Sequence, residues 1–180
     1  FADSNITHVE GEVDPMRDAE IIDIELILAD LESLEKRLPN LEKKVKTNKE
    51  LLPELELTKR VMTSLAAGPP ARSLLAAHPQ KEITNLQLLT SKPILYVCNV
   101  AEGDVVEGNR YSKLVEEKAK SEGAKCIWIS AKIESEIALL DDENDKKDFL
   151  NSIGLNETGL SKLIKSGYDS HFFEQFRFKL

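Results

Sequence analysis

Two short apolar segments dominate the hydrophobic pattern in the second half of the chain. They lie within residues 93–102 and 124–132, and in each the apolar run stops abruptly at polar residues. Such runs are typical of parallel β-strands that are buried on both faces and end at a crevice. A helix-sized segment, residues 108–123, separates the two runs. We therefore predict a right-handed strand–helix–strand unit whose two strand ends lie side by side.

The first seventy residues show the spacing of two long helices. Asp14 and Pro15 supply a helix start, because Asp can cap free N–H groups and Pro loses nothing at the first helical position. Pro39 falls inside the first apolar seam, so we expect a kink or a break near Leu38. The first seam is Ile24, Ile27, Leu31, Leu34, Leu38, Leu41 and Val45, and the second is Leu51, Leu55, Met62 and Leu65 with Thr58 between them. Together they predict an antiparallel coiled-coil hairpin.

Weaker patterns predict the remaining elements. Residues 1–11 favour a strand or an extended lead-in, and a helix over residues 80–90 would place Ile83, Leu86 and Leu89 on one face. Other helices are expected at residues 71–77, 132–140, 146–153 and 157–165, with an acidic turn at 141–143 and Gly167 as a C-terminal cap. Residues 170–180 show no clear period.

The composition is that of a folded chain. It has 180 residues, 41% of them hydrophobic, and a formal net charge of -8. No run approaches the roughly 18 apolar residues that span a bilayer, and no secretory leader is visible, so we expect a cytoplasmic protein without membrane contact. Cys98 and Cys126 both fall in predicted strands, where a free thiol behaves as a small hydrophobe, and neither has a metal ligand at the usual spacing.

Four lysines lie close together at the expected bend of the hairpin. Lys43, Lys44, Lys46 and Lys49 place four positive charges in seven residues. The net negative charge of the chain argues against broad binding to a phosphate backbone. A solvated hairpin tip is therefore the favoured interpretation, and a contact with RNA or the ribosome is the alternative hypothesis.

Polar residues at the two predicted strand ends form the candidate site. Asn99 and Glu102 follow the first strand, and Ser130, Ala131 and Lys132 follow the second. A carboxamide, a carboxylate, backbone donors and an aliphatic lysine stem are suited to holding a planar nitrogenous base. Each residue also has a structural interpretation: Asn99 ties two loops together, Glu102 is surface charge, and Ser130 caps the next helix.

This combination resembles the base-recognition half of the GTPase-type (TRAFAC-class) P-loop proteins, whose usual pair is Asn-Lys-x-Asp and Ser-Ala-Lys. Here Val100 and Glu102 stand in place of the Lys and the Asp. In that family the Asp accepts two hydrogen bonds from guanine, and a side chain one methylene longer cannot take the same position. The Asn-x-x-Glu variant is the hallmark of the YchF or Obg-like ATPases, which prefer ATP to GTP.

The resemblance covers residues 1–168 and also includes Asp14, Pro15 and residues 18–22, 90–93 and 159–168. It implies an α/β fold, a partial Rossmann-like P-loop NTPase domain interrupted by the helical hairpin. Residues 1–20 and 80–168 would belong to the nucleotide domain, 21–79 to the hairpin and 169–180 to a divergent tail in place of a TGS domain. The implied base-binding residues are Asn99, Val100, Glu102, Ser130, Ala131 and Lys132. The complete family protein binds ribosomes and works as a hydrolase with ATP (or GTP) and Mg2+.

The chain also departs from the family pattern. Three family elements would precede Phe1, which suggests a fragment: the phosphate loop, the magnesium-binding Ser or Thr, and the Asp-x-x-Gly segment. Because phosphoryl transfer depends on those groups, we do not expect this chain alone to hydrolyse a nucleotide. Residues 103–110 and 154–161 have the glycine spacing of a phosphate loop, but Asn109 and Leu160 stand where Lys is needed. The competing hypothesis is a non-enzymatic helical-hairpin module that binds RNA, ribosome or protein.

Overall fold

The structure, a computed structural model, describes residues 13–76 and 80–169, which form a mostly helical α/β fold with a small parallel sheet. The chain divides into two compact units. The hairpin unit is Arg17–Pro93, and the strand unit is the described part of the chain from Ile94 onward, together with the residues up to Met16. The helices and strands are α1 (Pro15–Thr47), α2 (Leu52–Ala66), α3 (Gln80–Asn85), β1 (Leu95–Asn99), α4 (Arg110–Ser121), β2 (Lys125–Ile129), α5 (Ala131–Ala138), α6 (Glu143–Ser152) and α7 (Gly159–Asp169).

Helix α1 begins where the sequence predicts. Asp14 Oδ1 accepts a hydrogen bond from the backbone N–H of Met16 at 3.1 Å, and the helix starts at Pro15. It then continues through Pro39 to Thr47, so a break near Leu38 is wrong. Proline removes one backbone donor, but the loss at this exposed position is tolerated because Leu34 and Val45 are buried on either side of it.

The hairpin unit is held by an apolar core that the predicted seams cover only in part. Ile24 is 56% exposed and lies outside the core, although its place in the first seam predicts burial. On α2 the most buried apolar residues are Leu57, Val61 and Leu65, at four-residue spacing, so the buried face is rotated from the predicted one. The buried cluster consists of Ile27, Leu34, Leu57, Val61, Leu65, Ala71, Ile83, Leu86 and Leu88.

The segment after α2 departs from its predicted form. Ala71–Ala76 is a 3-10 helix, and α3 stops at Asn85 instead of reaching residue 90. Gln87 adopts a left-handed backbone with φ of 57°, which a continuing helix does not allow. Leu88 is therefore buried and Leu89 is 43% exposed, the reverse of the predicted pattern. A second 3-10 helix, Leu89–Ser91, follows.

A buried carboxylate ties this segment to α1. Asp30 is only 2% exposed, and its Oδ1 accepts the backbone N–H of Leu89 at 2.7 Å. Its Oδ2 accepts the backbone N–H and the hydroxyl of Thr90, at 2.8 Å and 2.7 Å. The Thr90 hydroxyl in turn accepts the backbone N–H of Ala71 at 3.0 Å. One acidic side chain thereby satisfies three donors that would otherwise be buried without partners.

The strand unit contains the predicted strand–helix–strand arrangement. Strands β1 and β2 are parallel and in register, with Asn99 opposite Ile129. Asn109 caps the intervening α4 by accepting the backbone N–H groups of Tyr111 and Ser112, both at 3.0 Å. The described sheet has two strands, and Val97 is 43% exposed, so the predicted burial on both faces is wrong for β1.

The last helices of the strand unit have bounds that differ from those predicted. Helix α6 starts at Glu143 because Asp142 Oδ1 accepts the backbone N–H of Asn144, so the acidic turn is its cap. Helix α7 runs through Gly167 to Asp169, so Gly167 does not cap it. The predictions for residues 1–11 and 170–180 fall outside the described residues. Within the described part of the chain, no helix is long and apolar enough to cross a bilayer.

We predict that Asp30→Asn lowers the free energy of unfolding of the hairpin unit by about 2–4 kcal/mol, because an amide cannot accept all three hydrogen bonds and its own N–H groups would face donors. Urea unfolding followed by circular dichroism measures the loss. Glu35→Gln, at an exposed position of the same helix, is the matched control and should leave stability within about 0.5 kcal/mol. Equal stability of the two variants would contradict the prediction.

Candidate functional site

The carboxyl ends of β1 and β2 meet, as the sequence predicts. Asn99 is the last residue of β1, and its Oδ1 accepts the backbone N–H of Ala131 at 3.0 Å. The backbone N–H of Val100 donates to the carbonyl of Ile129 at 2.8 Å, which continues the ladder past the strand ends. These two bonds join the loop after β1 to the start of α5.

The six residues predicted for base binding differ in exposure. Asn99, Glu102, Ala131 and Lys132 are exposed, whereas Val100 and Ser130 are 3% and 2% exposed. The Val100 side chain belongs to the core of the strand unit, and Ser130 occupies the N-cap position of α5 without a capping bond from its side chain. Val100 and Ser130 therefore offer their backbone, and the other four residues also present exposed side chains.

Glu102 and Lys132 form an ion pair across the two loops. Their Oε2 and Nζ atoms are 2.7 Å apart, and the side chains are 44% and 66% exposed. The hydrogen bond from Lys132 to Glu102, followed by the negative charge of Glu102, raises the pKa of Lys132. Because the pair is open to solvent, its contribution to stability is small. It does fix the carboxylate and the ammonium at the same edge of the sheet.

Glu134 of α5 also supports this edge, although the sequence analysis assigns it no role. Its Oε1 accepts the backbone N–H of Gly159 at 2.6 Å, and its Oε2 accepts that of Leu160 at 3.2 Å. A Cβ on Gly159 would lie 2.6 Å from Cγ2 of Ile129, so only glycine fits there. A carboxylate at the positive end of α7 thus holds this helix against β2 and α5.

The loop after β1 is shaped by close packing rather than by a phosphate-loop conformation. Gly108 has φ of +72°, and a Cβ there would lie 2.7 Å from the Trp128 ring. Asn109, at the position where a phosphate loop needs Lys, donates its side-chain N–H to Asp104 at 2.9 Å and caps α4. This loop therefore ends in the helix cap of α4.

The four clustered lysines are all exposed, but they lie in different elements. Lys43, Lys44 and Lys46 belong to the C-terminal turns of α1, and Lys49 begins the 3-10 helix Lys49–Leu51. Lysines at a helix C-terminus complement the helix dipole, which is a purely structural reason for three of them. The neighbouring Glu42 pairs with Lys59 of α2 at 2.6 Å.

No group of three or more His, Cys, Asp or Glu side chains gathers into a metal site among residues 13–76 and 80–169.

Comparison with known proteins gives homologues along almost the whole chain. No family model matches. The chain is 45% identical over 172 residues to the "Ribosome-binding ATPase YchF" of Bacillus subtilis, and 40% identical over 170 residues to that of Haemophilus influenzae, in each case over 93% of its length. This chain is a homologue of the YchF proteins. The YchF structure from Schizosaccharomyces pombe, titled a GTPase, superposes with a TM-score of 0.79 at 29% identity over 94% of the chain.

The matches cover only part of each YchF relative. The chain spans 47% of the Bacillus protein, 46% of the Haemophilus protein and 47% of the Schizosaccharomyces structure, about half the length of each. The resemblance to the YchF proteins is confirmed at the level of homology, as is the α/β fold class. The roles assigned to Asn99, Glu102 and residues 130–132 stay predictions.

We predict that Glu102→Gln lowers the pKa of Lys132 toward the ordinary lysine value, because the charge partner is lost. Because the pKa of Lys132 is raised in the folded chain, folding favours the charged form of this lysine. The pair therefore stabilises the fold fully at a pH below the pKa of Lys132 in the unfolded chain, and this stabilisation is lost as the pH rises through the pKa in the folded chain. Carbon-13 NMR of the lysine Cε during a pH titration measures the pKa of Lys132. Glu107→Gln, an exposed acid of the same loop, should not change the Lys132 value; an unaltered pKa in Glu102→Gln would refute the assignment.

Proposed function

We propose that this chain is the base-binding part of a ribosome-associated, nucleotide-binding protein that prefers ATP to GTP. The observation that carries the proposal is the hydrogen bond between Asn99 and Ala131, which places the two loops of the Asn-x-x-Glu and Ser-Ala-Lys pattern next to each other. The names of the YchF relatives, a ribosome-binding ATPase and a GTPase, support the same class. A ribosomal partner also favours a cytoplasmic location.

Each exposed group has a role in this proposal. Asn99 uses its Oδ1 to hold Ala131 and keeps its amide N–H to donate to a purine ring nitrogen. The Glu102 carboxylate accepts from the exocyclic amino group of adenine. The aliphatic stem of Lys132 covers the ring, and its pairing with Glu102 keeps both side chains at the site before the base arrives. Val100 and Ser130 contribute backbone that shapes the loops.

In this proposal, nucleotide hydrolysis depends on groups other than the base-binding residues. A phosphate loop and Mg2+ hold the phosphates during phosphoryl transfer, and neither the loop after β1 nor residues 154–161 supplies the required lysine. We propose residues 1–20 and 80–168 as part of the nucleotide domain, 21–79 as a coiled-coil arm and 169–180 as a divergent tail in place of a TGS domain.

A second role is proposed for the hairpin itself. Its tip presents Lys43, Lys44, Lys46 and Lys49, all exposed, in a chain that is otherwise acidic. Exposed positive side chains at a helix end are suited to contact ribosomal RNA phosphates. In this proposal the hairpin docks on the ribosome, whether or not the strand unit binds a nucleotide.

Titration of the isotope-labelled chain with ATP and with GTP tests the base site. We expect millimolar ATP to shift the amide resonances of residues 99–102 and 130–132 more strongly than GTP does. Glu102→Asp should move the preference toward GTP, since the shorter carboxylate can accept both N–H groups of guanine. Glu107→Asp is the control and should keep the ATP preference. Absence of shifts at these loops with both nucleotides would overturn the proposal.

Charge reversal tests the docking role of the hairpin tip. The double variant Lys43→Glu with Lys46→Glu should weaken co-sedimentation with ribosomes by about tenfold or more, because two phosphate contacts become repulsive. The double variant Lys113→Glu with Lys147→Glu changes the net charge equally at exposed positions of the strand unit and should bind as the unmodified chain does. Equal loss in both variants would show a general charge effect instead of a docking surface.

A further inference from the structure

The two cysteines lie in contact on neighbouring strands. Cys98 is on β1 and Cys126 is on β2, and their sulfur atoms are 3.8 Å apart. In the register of the sheet Tyr96 is opposite Cys126, so the two cysteines are diagonal neighbours on the same face. Both are free thiols and both are half-buried. The sequence places them in strands but does not predict that they touch.

The contact makes the two thiols chemically different. The two sulfurs share an S–H···S hydrogen bond in which either thiol can be the donor, and this bond lowers the pKa of Cys98. The same bond, together with burial, raises the pKa of Cys126. Since the thiolate is the reactive form, Cys98 is the thiol that reacts first with an oxidant. Cys126 is already placed to react with the resulting sulfenic acid.

We propose that Cys98 and Cys126 are a modification site at which a peroxide forms a reversible disulfide within the chain. The Cys98 thiolate attacks the O–O bond of hydrogen peroxide, giving a sulfenic acid and hydroxide. The Cys126 thiol then attacks the sulfenic sulfur, the S–S bond forms and water leaves. The two sulfurs together lose two electrons, which reduce the peroxide. A dithiol returns both cysteines to thiols by exchange.

Closure of this bond acts on the candidate site through the strands. A disulfide holds its sulfurs about 2.0 Å apart, so the thiols must approach by about 1.8 Å from their present separation of 3.8 Å. Cys98 directly precedes Asn99, whose side chain holds Ala131. Displacement of β1 against β2 therefore changes the hydrogen bond that joins the two loops, and oxidation is coupled to the geometry of the base site.

The test compares the rate of disulfide formation in the folded and the unfolded chain. The reduced chain is treated with hydrogen peroxide, quenched with acid, unfolded and alkylated with N-ethylmaleimide before intact-mass analysis. We expect an unlabelled monomer lighter by two hydrogens to form at least about tenfold faster in buffer than in concentrated urea, because only the fold brings the thiols together. Dithiothreitol should restore two labelled thiols.

Two variants and one structural readout complete the test. Cys126→Ser should leave a Cys98 sulfenic acid that dimedone traps, and Cys98→Ser should give no monomer lighter by two hydrogens, because no second thiol remains. In the oxidised unmodified chain, the amide resonance of Ala131 should shift and then return on reduction. Equal rates with and without urea, disulfide-linked dimers in place of the monomer, or an unmoved Ala131 resonance would each overturn the proposal. No nucleotide is needed, so a failed ATP titration does not affect this result.

Discussion

The loops of the strand unit depend on one hydrogen bond in which a side-chain oxygen accepts the backbone N–H of a distant residue. Asn99 Oδ1 accepts the N–H of Ala131, thirty-two residues further along the chain. Parallel strands bring their ends to the same edge of a sheet, but this does not fix the conformation of the loops beyond them. The carboxamide does so, because it ties the end of β1 to the first turn of α5. Glu102 and Lys132 can then form a pair, since each sits a short distance past an anchored strand end.

At two other places in the molecule, a side-chain carboxylate accepts backbone N–H groups from a distant segment. Asp30 binds backbone N–H groups of Leu89 and Thr90, and Glu134 binds those of Gly159 and Leu160. In each case an acidic side chain on a helix supplies the acceptors that a non-helical segment or a helix start lacks. Side-chain acceptors therefore organise both units, beside the apolar contacts that cover the larger area.

Sequence reasoning was accurate where a feature depends on local pattern. The two strands, the cap at Asp14 and the meeting of Asn99 with the Ser-Ala-Lys loop follow from apolar runs, cap chemistry and the geometry of parallel strands. It failed where distant packing decides. The left-handed Gln87 reverses the burial of Leu88 and Leu89, and the role of Asp30 depends on donors sixty residues away, which no periodicity contains.

The burial of Val100 restricts which side chain the loop after β1 can carry at this position. In the usual Asn-Lys-x-Asp pattern this position holds a lysine, whereas here the side chain is 3% exposed and packs with Val105, Ile133 and Ile137. A lysine in its place would have to bring an ammonium group into that apolar cluster or push the loop outward, and either change costs several kcal/mol. The core of the strand unit thus disfavours lysine at this position, whether or not a ligand is bound.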